Sequence, residues 1–239
     1  MTPVPLLWRG GGLIAVDKPP GVLVVPGRRD GPEPCLRKQL EETLGQPVWV
    51  VHRLDRDTSG VVLFALDAAS HRAASVAFER GEVGKTYLAL VAPPLDVPVV
   101  VEAGLVPARR GRMRLAKPGE VGKLARTRFR PLERYPRGGL VEAEPLTGRT
   151  HQIRLHLQVA GCPLLVDAQY GRPQALTEAS LGGTGDEVVL TRTPLHAARL
   201  VLEGGSGLPS VDVEAPLPAD MRSALGLLRC QGATVKGAD

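Results

Sequence analysis

Apolar residues in this chain come in short runs, and the runs decide which class of fold is open to it. LIAV (13–16), VLVV (22–25), VWVV (48–51), VVLFAL (61–66), TYLALV (86–91) and VPVVVEAGLV (97–106) are rich in β-branched residues. The chain carries 28 glycines and 22 prolines, and turn-forming residues bound each run. Runs of that length and composition predict strands. Further strands are expected at Ala125–Leu132, Leu140–Leu146, His196–Leu202 and Val211–Glu214. Helical spacing is confined to Leu36–Leu44, Ala68–Arg80, Thr150–Val159, with Ile153 and Leu157 on one face, and Ala219–Leu228 after Pro218. Strands outnumber helices and do not alternate with them. The expected class is therefore α+β, with a large mixed or antiparallel central sheet flanked by helices and loops.

No composition shift or linker marks an internal boundary, so residues 1–239 read as a single domain. Gly182–Asp186 and Gly204–Gly207 read as surface loops, and the last ten residues as a frayed tail. Cys35, Cys162 and Cys230 lie far apart, which argues against a disulfide framework or a structural zinc site and for a reducing compartment. The N-terminal stretch lacks a basic segment followed by an apolar signal core, and no apolar run reaches membrane-spanning length. These features predict a soluble, cytoplasmic protein. A net charge of +5 is compatible with an anionic partner, and equally with a basic surface that only aids solubility.

Three apparent motifs fail on inspection. GEVGKT (81–86) has Glu79 where a phosphate loop needs glycine. His151 and His156 are five apart, not the four that would place a zinc pair on one helical face. GGSG (204–207) lacks the glycine placement of a nucleophile elbow.

Two dense segments survive. HRLDRDTSG (52–60) packs one histidine, two arginines and two aspartates around Leu54. If the strand from Val48 continues through it, Arg53 and Asp55 share one face and Leu54 takes the other. Thr58-Ser59-Gly60 then reads as a turn into a strand buried on both faces. A carboxylate at such an edge needs a cation or several donors to stay ionised. GRTHQIRLHL (148–157) offers one: with Thr150 as N-cap, Arg154 sits about one turn into a helix, off its apolar face. From local residues alone, Asp55 could equally be half of a surface ion pair, and Arg154 a solvated helix residue. Tyr87, in KTYLALV (85–91), could pack in a core or offer a face to a base.

Taken in order, DKPPGVLVVP (17–26), HRLDRDTSGVVLFA (52–65), KTYLALV (85–91), GRTHQIRLHLQVAGCPLLVDAQYG (148–171) and LHAARLVL (195–202) resemble the successive motifs of the RluA-type pseudouridine synthases. The resemblance covers about residues 12–205, leaving 206–239 peripheral, and the motifs begin near residue 12. It implies a stand-alone catalytic domain with a central cleft, without the S4 domain of some members. It implies an isomerase that converts specific uridines to pseudouridine in structured tRNA or 23S-type rRNA. No metal or organic cofactor, membrane or obligate protein partner is implied, and the protein is expected to be a monomer.

By motif position, Asp55 matches the catalytic aspartate, attacking the uridine at C6 or at C1′. Arg154 matches the arginine that pairs with it, and Tyr87 the tyrosine that stacks on the flipped uracil. Arg53 matches a residue that fills the gap left by that base, and Leu195 the apolar lining of the pocket. Arg149 and Gln152 are expected to be structural or to face RNA. Lys18 and the basic runs at 109–114 and 123–130 are expected to meet phosphates, the alternative being a solvated face. Asp57 is expected to be a turn residue. Two other readings stay open: a non-catalytic RNA-binding or ribosome-assembly protein, and a hydrolase using Asp55 and Asp57 as an acid/base pair.

Overall fold

The structure is a computed structural model that describes residues 4–27, 35–205 and 207–232. In chain order its elements are β1 (Leu6–Gly10), β2 (Leu13–Lys18), α1 (Leu36–Leu44), β3 (Trp49–Val50), β4 (Ser59–Ala65), α2 (Ala68–Arg80) and β5 (Val83–Val91). Then come β6 (Val99–Pro107), β7 (Met113–Leu115), β8 (Lys123–Tyr135), β9 (Gly138–Pro145), α3 (Gln152–Val159), β10 (Leu176–Thr177) and β11 (Val188–Leu190). The described chain closes with β12 (Leu195–Leu202), β13 (Val211–Glu214) and α4 (Ala219–Arg229). Long strands and few helices bear out the α+β class.

The chain forms two compact units, and neither is contiguous. One takes the described residues of Met1–Lys85 and Ala197–Pro216, the other those of Thr86–His196 and Leu217–Asp239. The chain passes between them three times, within β5, within β12 and between Pro216 and Leu217.

In the first unit the strand order is β1-β2-β4-β12, with β3 on β4 and β13 on β12. β2 and β4 pair antiparallel from Leu13↔Ala65 to Lys18↔Gly60. Both are apolar on both faces and Leu13, Val16, Val62, Leu63 and Phe64 are fully buried. Helix α2 adds Ala74 and Ala77 to the core formed by Leu13, Ala15, Val61 and Leu63. Its ends are well signalled: Asp67 accepts from Ser70 N–H at 2.8 Å, and Gly81 closes it at φ +73°.

In the second unit the order is β5-β9-β8-β6-β7, and the printed pairings, β5–β9, β9–β8, β8–β6 and β6–β7, are antiparallel. Alternation along β5 separates two cores. Ala89 and Val91 pack with Ile153 and Leu157 of α3. Leu90 packs with Met221, Leu225 and Leu228 of α4. After α3 the chain runs back beside β5, with Leu165 N–H on Leu90 O at 2.9 Å and Ala92 N–H on Pro163 O at 3.0 Å.

Several local expectations need correction. VLVV (22–25) forms no strand, because its carbonyls serve helix α1. Cys35 at the N-cap gives no side-chain bond, and Leu23 O and Val24 O accept from the N–H groups of Leu36 and Arg37 at 2.8 and 3.1 Å. The strand from Val48 shrinks to Trp49–Val50. The turn in the dense motif comes early: Thr58 N–H bonds to Asp55 O at 3.2 Å, and Ser59 already begins β4. Thr150 is not the N-cap of α3; His151 is, with φ 54°. β1, β7, β10 and β11 were not expected, all four being five residues or fewer without strong alternation. Of the expected frayed tail, residues 233–239 lie outside the described residues.

Candidate active site

The first unit holds the Asp55 loop by its backbone. Lys18 lies at the end of β2 and is fully buried. Its Nζ donates to Pro19 O at 2.9 Å, Val22 O at 2.7 Å and Arg56 O at 2.8 Å. An ammonium has three protons, and here three carbonyls receive them. Lys18 therefore does not sit where a phosphate could meet it, and the expectation of a phosphate contact is corrected to an internal strut. Arg56 O also accepts from Gly21 N–H at 2.9 Å, so the carbonyl next to Asp55 is pinned twice.

Downstream, the loop enters β4 through Thr58, Ser59 and Gly60, all buried. Gly60 has φ +109°, and a Cβ there would lie 2.2 Å from Ala197 O. Only glycine fits both that backbone and that approach. Upstream, His52 accepts the Leu63 N–H on Nε2 at 2.9 Å and stacks on Phe78 at 4.6 Å. Burial and the nearby Lys85 cation push its pKa down to about 3, so it is a neutral acceptor. Between these anchors Leu54 is buried, Asp55 half-buried and Arg53 exposed, the alternation read from the sequence. Asp57 is at the third position of the Asp55–Thr58 turn.

The second unit holds Arg154 by side chains. Arg154 is 6 % exposed, far from the solvated alternative. Its Nε and Nη2 donate to Asp167 Oδ2 and Oδ1 at 2.8 and 2.7 Å, a bidentate pair with a carboxylate that is 3 % exposed. Nη2 also donates to Gln169 Oε1 at 2.9 Å, and the Tyr170 ring centroid lies 4.8 Å from the guanidinium carbon.

Gln152 is likewise internal. Its Oε1 accepts from Thr147 Oγ1 and Arg149 N–H, and its Nε2 donates to Arg126 O and Thr127 Oγ1. All its bonding capacity ties the start of α3 to β8, so of its two expected roles the structural one fits. Thr127 Oγ1 continues to His156 Nδ1 at 2.8 Å, and burial lowers the His156 pKa to about 4. Arg149 is exposed, with Nε on Leu124 O at 3.3 Å.

Tyr87 is half-buried in register with Ala143 and packs against the cluster that contains Leu195, Ile153 and Leu157. Leu195 is 4 % exposed there. The second unit thus brings together Tyr87, Leu195 and the helix that carries Arg154. In the basic run 123–130, Arg126, Arg128 and Arg130 pair with Glu102, Glu144 and Glu142 on neighbouring strands, while Lys123 is exposed. Within 109–114, Arg114 is bidentate with Glu120.

Asp167, Tyr170 and His151 had no role assigned from sequence. His151 lay in the dense segment 148–157, and Asp167 and Tyr170 only in the longer motif 148–171, but nothing in the spacing says that a carboxylate thirteen residues beyond Arg154 folds back onto it. Among the described residues no cluster could hold a metal ion, and no helix is long and apolar enough to cross a membrane.

Residues 12–159 match the family model described as RNA pseudouridylate synthase. The chain is 36% identical over 234 residues to the ribosomal large subunit pseudouridine synthase D of Nitrosomonas europaea, covering 95% of this chain and 66% of that protein. It is 39% identical over 184 residues to the ribosomal large subunit pseudouridine synthase C of Haemophilus ducreyi, covering 76% and 56%. The chain thus aligns with less than two thirds of the length of either relative. Among solved structures, human RNA Pseudouridylate Synthase Domain Containing 4 superposes with a TM-score of 0.73 at 24% identity, over 98% of this chain and 95% of that one. At that identity the likeness speaks for the fold.

Proposed function

The chain belongs to the RNA pseudouridylate synthase family, and from that premise we propose that it isomerises uridine to pseudouridine in structured RNA, with Asp55 as the attacking carboxylate. The observation that carries this reading is the build of the Asp55 loop. Lys18, His52 and Gly60 fix its backbone, while Asp55 stays half-buried and Arg53 exposed. A rigid frame under an accessible carboxylate suits a nucleophile that must meet one atom of a substrate.

Asp55 attacks C6 of the uracil or C1′ of the ribose. The N1–C1′ bond breaks, the uracil turns while held, and C5 bonds to C1′. The bond to Asp55 breaks, C5 loses its proton and N1 gains one, so the carboxylate is regenerated and the product is an isomer of the substrate. Tyr87 stacks on the uracil and Leu195 lines its pocket; their shared apolar cluster supports both roles. Arg154 takes the role of the arginine that the resemblance assigns to the catalytic aspartate, supported by the fixed orientation Asp167 gives it. Arg53 takes the place of the flipped base, supported by its exposure beside Asp55. Arg149 is exposed enough to meet the RNA backbone.

The two units act as one catalytic domain, in a protein that works as a cytoplasmic monomer without a cofactor. The relatives are named for the large ribosomal subunit, which favours large-subunit rRNA over tRNA as substrate. The test is purified Asp55→Asn on rRNA from cells lacking the gene. RNA binding should persist and pseudouridine formation should stop. Formation at the wild-type rate would refute the assignment.

A further inference from the structure

We propose that Asp167 and Tyr170 are positioning residues that set the direction in which Arg154 can act. The inference rests on the reading of Arg154 as the partner of Asp55. A guanidinium presents five N–H groups in one plane. Asp167 takes the Nε and Nη2 edge, Gln169 takes the other Nη2 proton, and the Tyr170 ring lies against the guanidinium. Three of the five N–H groups are thereby committed on one side.

Neutralising a buried arginine needs only one carboxylate. Here three side chains from the segment 167–170 converge on the same group, which is what fixing an orientation requires. Tyr170 is itself held: its hydroxyl meets His151 Nδ1 at 2.6 Å and the Met113 N–H at 3.0 Å, and its carbonyl accepts from Gln158 Nε2 at 3.0 Å. His151 adopts φ 54°, in the left-handed region that non-glycine residues rarely enter, and its ring meets that of Tyr170 edge-on at 5.6 Å. The uncommon backbone at the start of α3 thus accompanies contact with the group that steadies Arg154.

The experiment is Asp167→Asn, made in the wild-type and in the Arg154→Lys background. Single-turnover pseudouridine formation and RNA affinity are measured on rRNA from cells lacking the gene, with circular dichroism to confirm folding. A misdirected guanidinium should slow the chemical step about 100-fold, the scale of an ångström-sized misplacement. RNA affinity should be unchanged, and Asp167→Asn should add no further loss once Arg154 is lysine. A folded Asp167→Asn protein with a wild-type rate, or losses that multiply in the double variant, would overturn the proposal. Should Asp167→Asn not fold, Tyr170→Leu takes its place in the same comparison, with the same two deciding outcomes. An Asp55→Ala control separates the cases: if it still makes product, the functional reading has failed; if it makes none and Asp167→Asn is normal, only this inference has.

Discussion

The Asp55 loop and the Arg154 helix serve one proposed reaction, yet they are built in opposite ways. The loop is held through its backbone. Lys18 and Gly21 grip Arg56 O, His52 takes a strand N–H, and Gly60 presses against Ala197. Of its two functional side chains, Arg53 is exposed and Asp55 half-buried. The helix is held through its side chains, and Gln152, Arg154 and His156 are all buried in a polar network. The first design presents a group that must reach a substrate. The second fixes a group that must not move. Substitutions should therefore fail differently in the two regions.

The largest effects should come from the loop's frame. Gly60→Ala puts a methyl group onto Ala197 O in a backbone that alanine rarely adopts, and should cost about 3–5 kcal/mol of stability. Lys18→Met strands three carbonyls and should cost at least about 3 kcal/mol. Urea unfolding measures both; a loss below 1 kcal/mol in either would show that the backbone grip is not what holds the loop.

On the helix side the contrast sharpens. Arg154→Met takes the bidentate partner from the buried Asp167, and Asp167→Leu takes it from the buried Arg154, each at a cost of about 3–5 kcal/mol. The double replacement removes both charges and should recover most of that stability while pseudouridine formation stays lost. Recovery of activity along with stability would mean the pair serves the fold alone.

Acid should separate the regions less sharply. His52 and His156 are both held neutral, with pKa values about 3 and 4 against a usual 6.5. A lowered pKa means the unfolded chain binds a proton the folded one refuses. Their contribution is complete above pH 6.5 and declines steadily as pH falls toward those values. Stability measured from pH 7 to 4 should fall, and His156→Gln should reduce the slope of that fall. An unchanged slope would show that His156 takes no part.

The smallest effects belong to the outer face of β8. Arg126, Arg128 and Arg130 are exposed and paired with glutamates, so alanine at any one should change stability by about 0–1 kcal/mol. The effect on RNA affinity should be similarly small. A large loss of RNA binding would restore the run to the RNA-facing surface.

How much of this was legible in the sequence follows from how local each signal is. Helix α2 is bounded by Asp67 and Gly81, and its limits could be read directly. β4 announces itself by the apolar run from Val61, although Ser59 and Gly60, read as a turn, already belong to it. The alternation of Arg53, Leu54 and Asp55 survives although the segment joins no ladder, because extended backbone keeps side chains alternating. What could not be read depended on distant partners. Lys18 looks like a surface cation until Val22 O and Arg56 O close around it. VLVV reads as a strand until helix α1 takes its carbonyls. Asp167 has no sequence signal that ties it to Arg154, because the return of the chain beside β5 brings them together.

The central claim is that Asp55 isomerises uridine. Its most direct measurement is pseudouridine mapping of large-subunit rRNA and tRNA from cells in which the gene is deleted, then restored as wild type or as Asp55→Ala. At least one uridine should lose its modification on deletion, regain it with the wild-type gene, and stay unmodified with Asp55→Ala. Full modification in the Asp55→Ala strain, or no change on deletion, would contradict it.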